Sequence, residues 1–121
     1  MLETSATHAL IIEDELIVAM EVEDLLREVG FTSFDIAATP DHALERATQH
    51  RPGLITADIR IMGGTGIQAV KAITERLGEI PYLYVTGNVD MLSDQDHAVV
   101  VEKPINPRHF RRACANVASR R

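Results

Sequence analysis

The feature that most restricts this chain is an alternation. Four short apolar runs, Ala9-Leu10-Ile11-Ile12, Leu54-Ile55-Thr56-Ala57, Tyr82-Leu83-Tyr84-Val85 and Ala98-Val99-Val100-Val101, punctuate its 121 residues. A shorter segment, Phe34-Asp35-Ile36-Ala37, lies between the first two, and stretches of helical period separate most of these segments. Strand and helix in succession predict an α/β domain on a parallel sheet.

The helical stretches carry their own punctuation. After a first strand at about His8–Glu13, Val18, Val22, Leu25, Leu26 and Val29 recur every three or four residues with acids and Arg27 between them. That spacing predicts an amphipathic helix, and Gly30 stands where a stop belongs. Thr39-Pro40 supplies an N-cap and a first-turn proline for a second helix reaching about His50, closed by Arg51-Pro52-Gly53. Strand three is read as Leu54–Asp58. The glycine-rich loop Met62-Gly63-Gly64-Thr65-Gly66 then leads to a third helix lined by Ile67, Val70, Ile73 and Leu77, with Gly78 near its end. The fourth helical slot is only the 11 residues Gly87–His97, mostly polar, and predicts a short helical turn or mobile loop. A last strand, Ala98–Val101, precedes a helix from about Pro107 that carries Phe110, Ala113, Cys114 and Val117 on one stripe.

This length suits one domain, residues 1–121 with a core at about 7–118, and leaves no room for a second or for a DNA-binding domain. No apolar stretch is long enough for a membrane span, and the N-terminus lacks a secretory signal. The single cysteine excludes an internal disulfide and fits a cytoplasmic protein, with Cys114 read as a small buried hydrophobe. Met1 and the short tail favour a complete chain. The net charge of −6 hides an asymmetry: residues 1–102 hold all 18 acids and six bases, whereas residues 103–121 hold six bases and no acid. The acidic body argues against nonspecific nucleic-acid binding. The basic end reads first as cations near a helix C-terminus and a solvated tail, and second as a docking face for an acidic partner.

Polar residues end the runs. Glu13 and Asp14 follow the first, Asp58 the third segment, Thr86 the fourth and Lys103 closely follows the last. Ligands of an open parallel sheet bind outside the carboxyl ends of its strands, so these side chains can meet in one pocket. Three converging carboxylates repel by several kcal/mol, roughly 4 per pair at 4 Å and an effective dielectric of 20. Lys103 offsets only part of this, and a hard divalent ion such as Mg²⁺ is the natural remedy. An isolated Asp58 can serve as a nucleophile toward phosphorus. The plainer alternative has Glu13, Asp14 and Glu15 charging the first turn of a helix, which leaves Asp58 and Lys103 unexplained. The five histidines show no ligand spacing, and Gly63-Gly64-Thr65-Gly66 lacks the Gly-Lys-Ser/Thr ending of a P-loop.

Taken jointly, Leu10-Ile11-Ile12-Glu13-Asp14-Glu15, Asp58-Ile59-Arg60-Ile61-Met62 with Gly66 eight residues past Asp58, Val85-Thr86-Gly87 and Glu102-Lys103-Pro104 resemble the receiver domain of two-component response regulators. The resemblance implies a flavodoxin-like, doubly wound five-stranded parallel sheet of order 2-1-3-4-5 with five helices, the fourth short or disordered. It implies that Asp58 accepts phosphate from a histidine kinase's phosphohistidine and that Thr86 and Lys103 grip the phosphoryl group. Asp14, Asp58 and the backbone carbonyl of Arg60 would hold Mg²⁺, with Glu13 acting through water. Lys103-Pro104 often carries a cis peptide in this family. The implied product is a self-phosphorylated switch or relay, not a turnover enzyme.

Two departures bear on mechanism. Val100 stands where the family usually has Tyr or Phe three residues before the lysine, which removes the usual aromatic switch. Pro81-Tyr82-Leu83-Tyr84-Val85-Thr86-Gly87 instead resembles a single-domain group called FAT GUY, whose fourth helical region is shortened and mobile. That likeness implies a sensor histidine kinase of HWE/HisKA_2 type as partner, with a histidine phosphotransferase or a downstream protein beyond it. The expected output is reorganisation of residues 87–97. Arg60 and Asn88, two residues past Asp58 and Thr86, flank the expected water path to the phosphoryl group. A phosphorylation-independent pseudo-receiver would need none of the Asp, Thr and Lys set. An aspartyl phosphatase would want a second acid where Arg60 stands.

Overall fold

The computed structural model describes residues 7–91 and 99–119. The elements run β1 (His8–Ile12), α1 (Leu16–Glu28), β2 (Ser33–Ala37), α2 (Pro40–Gln49), β3 (Leu54–Ala57), β4 (Arg60–Ile61), β5 (Gly64–Thr65), α3 (Gly66–Leu77), β6 (Tyr82–Thr86), a 3₁₀ turn (Val89–Met91), β7 (Val99–Glu102) and α4 (Pro107–Ser119). β1 and β3 are buried at every residue. Apolar runs without alternation are what a sheet covered on both faces demands. The order β2-β1-β3-β6-β7 is parallel throughout and, with the β4–β5 pair set aside, matches the expected 2-1-3-4-5 arrangement.

Side chains two apart on a strand share a face, and the core divides accordingly. Ala9 and Ile11 pack with Leu83, Val85 and Val101 against α1 and α4, where Phe110 is fully buried. Leu10 and Ile12 pack with Ile55, Ala57 and Tyr84 against α2 and α3. Each fully buried Leu, Ile or Phe contributes about 1.5–3 kcal/mol, so these two layers dominate the stability of the fold. Cys114 lies in the first layer as expected, and burial pushes its thiol up to about 12.

The caps explain where the helices begin and end. Thr39 Oγ1 accepts from the His42 N–H at 3.1 Å, with Pro40 in the first turn of α2. Gly30 follows α1 at φ +110°, and its N–H reaches the Arg27 carbonyl at 3.1 Å. The expected glycine-rich loop is more ordered than its composition suggests. Arg60–Ile61 pairs antiparallel with Gly64–Thr65 around a tight turn, and Gly66 is the first residue of α3 rather than the end of a loop. Thr65 and Gln68 close a reciprocal capping box, with the Gln68 N–H to Thr65 Oγ1 at 3.1 Å and the Thr65 N–H to Gln68 Oε1 at 2.8 Å.

Two expectations need correction. Glu13, Asp14 and Glu15 do not charge the first turn of α1, which starts at Leu16 and has no acid in that turn. Nor, among the described residues, are the cations of the basic end gathered at a helix C-terminus. Arg108, Arg111 and Arg112 sit in the first half of α4, and its last turn holds no base. Four α-helices are present among the described residues; the fourth helical slot is described only as far as Met91 and holds a 3₁₀ turn at Val89–Met91. Residues 92–98, which include His97 and the expected start of the last strand at Ala98, lie outside the described residues. So do the N-terminal segment 1–6 and the tail beyond residue 119. No described helix is long and apolar enough to cross a membrane.

Candidate functional site

The strand order reverses between β1 and β3, and the carboxyl ends of these strands open a crevice there. Backbone bonds just past the strands position the polar residues. The Glu13 N–H donates to the Ala37 carbonyl at 2.9 Å, Asp58 to Ile12 at 2.9 Å and Lys103 to Thr86 at 3.1 Å. Each side chain therefore leaves the sheet at a height fixed by the ladder. Gly66 guards the same spot: a Cβ there would lie 1.9 Å from the Asp58 carbonyl oxygen. The eight-residue spacing from Asp58 to Gly66 thus has a steric cause, because the start of α3 crosses directly over the Asp58 backbone.

Lys103 joins the acids. Its Nζ donates to Asp58 Oδ2 at 2.8 Å and to Glu13 Oε1 at 3.0 Å, with Glu15 Oε1 at 3.9 Å. Asp58 Oδ1 accepts from the Ile59 N–H at 2.7 Å, and Glu13 Oε2 from the Glu15 N–H at 3.2 Å. Carboxylate oxygens of Glu13, Asp14 and Asp58 lie within 4.8 Å of one another. Glu13 and Asp58 are buried, at 4% and 6% exposure, while Asp14 is exposed. Burial pushes the Glu13 carboxyl up to about 7; the Lys103 hydrogen bond opposes this and the Asp58 charge adds to it. Burial pulls the Lys103 ammonium down, but its bonds to Asp58 and Glu13 outweigh that and hold it above the ordinary lysine value.

The three clustered carboxylates outnumber the Lys103 ammonium and leave net negative charge beside a cleft of about 420 Å³. A divalent cation with oxygen ligands matches that deficit, and Glu13, Asp14 and Asp58 could hold it. Arg60, Gly87 and Asn88 complete the cleft wall. Thr86 is fully buried, and its Oγ1 accepts from the Asn88 N–H at 3.0 Å. Val100 lies in register with Tyr84 of the neighbouring strand, so an aromatic ring stands one strand over from the position where the family pattern expects one.

Sequence reasoning missed two features. Leu16, Ile17 and Met20 are exposed at 64, 83 and 55% although they belong to α1, and no periodic argument singles them out. The histidines do have a pattern in space: His8 and His50 stack at 3.6 Å beside Asp35. A separation of 42 residues gives no motif to read. A larger cavity, about 680 Å³, lies at the opposite end of the sheet between Phe31, Pro52 and α4. Its arginines are already engaged, Arg51 with the Leu77 and Glu79 carbonyls and Arg111 with Glu28, so the acid cleft is the better candidate for chemistry.

Fold and crevice together define a class: a receiver domain, the input module of two-component signalling. The family model for the response regulator receiver domain matches residues 9–115, and the chain belongs to that family. Among curated proteins it is 34% identical over 107 residues to the phyllosphere-induced regulator PhyR of Methylorubrum extorquens, covering 84% of this chain and 40% of PhyR. The solution structure of the Erythrobacter litoralis PhyR receiver domain superposes with a TM-score of 0.85 at 31% identity, covering 94% of this chain and 91% of that one. The crystal structure of the anti-anti-sigma factor PhyR from Bartonella quintana gives 0.81 at 29% identity over 93% of this chain and 47% of that one. The chain therefore spans about two-fifths of the length of its curated relative.

Proposed function

We propose that this chain is a phospho-accepting receiver in which Asp58 takes a phosphoryl group from a phosphohistidine on a sensor histidine kinase. The observation that carries this reading is the Asp58 carboxylate itself. It is buried, fixed through Oδ1 by the Ile59 N–H and through Oδ2 by Lys103, and flanked by two further acids. An Asp58 oxygen forms the new P–O bond as the P–N bond to the donor imidazole breaks. The imidazole leaves with that electron pair and takes up a proton. Phosphoryl transfer asks mainly for positioning and charge neutralisation, which Lys103 supplies from one side. A magnesium ion held by Glu13, Asp14, Asp58 and the Arg60 carbonyl would supply the remaining positive charge.

The buried Thr86 hydroxyl would donate to a phosphoryl oxygen once Asp58 is modified. That movement would strain the Thr86–Asn88 hydrogen bond and pass the change into the segment beginning at Gly87. Arg60 and Asn88 line the approach to Asp58, so Arg60 sets phosphoryl lifetime by occupying the water path. Leu16, Ile17 and Met20 support a protein donor, because an apolar patch beside a charged cleft suits a macromolecular surface better than a small phosphodonor. By likeness to PhyR, the downstream partner would be a regulator of transcription.

The test is transfer from a phosphorylated histidine kinase of HWE/HisKA_2 type. Wild type acquires one hydroxylamine-labile phosphoryl group, Asp58→Asn acquires none, and Ile17→Glu slows transfer from the kinase while leaving labelling by acetyl phosphate unchanged. Label on Asp58→Asn would overturn the reading. Absence of label from every donor would favour a phosphorylation-independent binding module.

A further inference from the structure

We propose that His8, Asp35 and His50 form a second cation site, suited to a transition ion such as Zn²⁺ and not to Mg²⁺, beneath the C-terminal end of α2. One ligand atom from each lies within 4.8 Å of the other two. Two imidazoles and one carboxylate are the donor set of Zn²⁺ and its neighbours, whereas Mg²⁺ prefers oxygen alone. The two ends of the fold would thus select different metals.

His8 is the pivot. It is 3% exposed, on a strand otherwise made of Ala, Leu and Ile. Its Nδ1 lies 2.8 Å from Ser33 Oγ and its Nε2 lies 3.0 Å from Asp35 Oδ2. A serine hydroxyl can donate or accept, so the ring is satisfied in two proton arrangements. Without metal, Nε2–H donates to Asp35 and the Ser33 hydroxyl donates to Nδ1. With metal, Nδ1–H donates to Ser33 and the Nε2 lone pair turns to the ion. The proton moves from one ring nitrogen to the other, and no net proton is lost. Ser33 then plays the outer-shell role that fixes a ligating imidazole.

Asp35 is also prepared. Arg46 holds its Oδ1 through Nε at 3.2 Å and through Nη2 at 2.6 Å, which orients Oδ2 on the His8 side. His50 stacks on His8 with centroids 3.6 Å apart and planes 11° from parallel. It is solvent-exposed at the C-cap of α2, so rotation of its side chain can bring a ring nitrogen to the same ion as His8. The ion would tie the first residue of β1, the centre of β2 and the end of α2 together.

Calorimetric titration of the full chain with ZnCl₂, alongside thermal melting, tests this. The Asp14→Asn/Asp58→Asn double variant removes the acid cleft as a competing site. We expect it to bind one Zn²⁺ and to melt higher when loaded, with no competition from excess Mg²⁺. In that background His50→Ala, an exposed change that preserves the fold, should abolish binding. Ser33→Ala should weaken it by about 10–100-fold, the usual cost of losing an outer-shell partner. Ring ¹⁵N shifts of His8 and His50 should move together on loading. Zn²⁺ binding that survives His50→Ala, or that disappears with the cleft acids, would overturn the proposal. Neither outcome bears on phosphorylation at Asp58, which the kinase-transfer experiment tests separately.

Discussion

At the carboxyl end of the sheet, Glu13, Asp14 and Asp58 face the single ammonium of Lys103. Near the amino end of β1, the single carboxylate of Asp35 is shared by the guanidinium of Arg46 and the imidazole of His8. Both clusters are partly buried polar networks that share β1, yet their internal charge differs. The lower one balances its own charge without an ion: the His8 ring and the Arg46 guanidinium both reach acceptors, and the Arg46 charge offsets that of Asp35. The upper one keeps more carboxylates than its single ammonium can offset. A charge-balanced network can support the fold without an ion, even where, as proposed for the lower one, it can also admit a metal; a network with excess carboxylates calls for a counter-charge.

Substitutions should separate the two ends, and the largest effect belongs to the backbone that positions the upper one. Gly66→Ala places a Cβ 1.9 Å from the Asp58 carbonyl, which must shift. Stability should fall by about 3 kcal/mol, at the upper end of ordinary overpacking, and Asp58 labelling should slow with it. Denaturant unfolding checks the first and acetyl phosphate kinetics the second; an unchanged protein would show that α3 does not lock Asp58. Next, Asp35→Ala in the lower network leaves buried His8 without its acceptor and should cost roughly 1–3 kcal/mol. Labelling of that variant should be normal once it is folded.

The corresponding deletion above should have the opposite sign. Asp58→Asn removes one of three clustered charges but also its pair with Lys103, so without metal it should raise stability only by about 1 kcal/mol, less than the roughly 4 kcal/mol of a single close repulsion. Saturating Mg²⁺ should erase that gain, because wild type is stabilised by binding the ion and the variant much less so. Destabilisation by Asp58→Asn in EDTA would break the comparison.

The smallest expected effect is in the pH profile of the metal-free protein, where the two ends pull in opposite directions. Glu13 has a folded value of about 7, above its ordinary 4.5, so the folded state holds the extra proton between them. Its contribution favours folding below about 4.5 and is lost as pH rises through about 7. His8 is displaced the other way: burial lowers it from 6.5, more than its bond to Asp35 raises it. Its contribution is complete above 6.5 and is lost as pH falls through the lower folded value. Glu13→Gln should therefore unmask a steady loss of stability on acidification that wild type partly conceals, measured by urea midpoints across that range.

How much of this was legible beforehand depends on where each end keeps its information. The upper cluster is written in order, because each acid or base lies at or just past the end of an apolar run, and burial on both faces makes those runs conspicuous. Glu13, Asp14, Asp58 and Lys103 could be expected to meet, and they do. The reason for Gly66 was hidden, since its contact with the Asp58 carbonyl depends on the path of α3. The β4–β5 pair was hidden because two-residue strands in a glycine-rich segment have no period. The lower cluster was invisible: His8, Ser33, Asp35, Arg46 and His50 sit on three separate elements with no recurrent spacing, and only the parallel register of β1 with β2 brings them together.

On this account the upper cluster is built to hold a divalent cation, and Asp58 is the residue that ion serves. Intact-mass spectrometry after acetyl phosphate treatment, with and without Mg²⁺, followed by mapping of the modified peptide, tests it most directly. The account predicts the addition of one phosphoryl group at Asp58 that requires Mg²⁺ and is removed by hydroxylamine. A phosphoryl group on another residue, or equal labelling of Asp58 in EDTA, would contradict it.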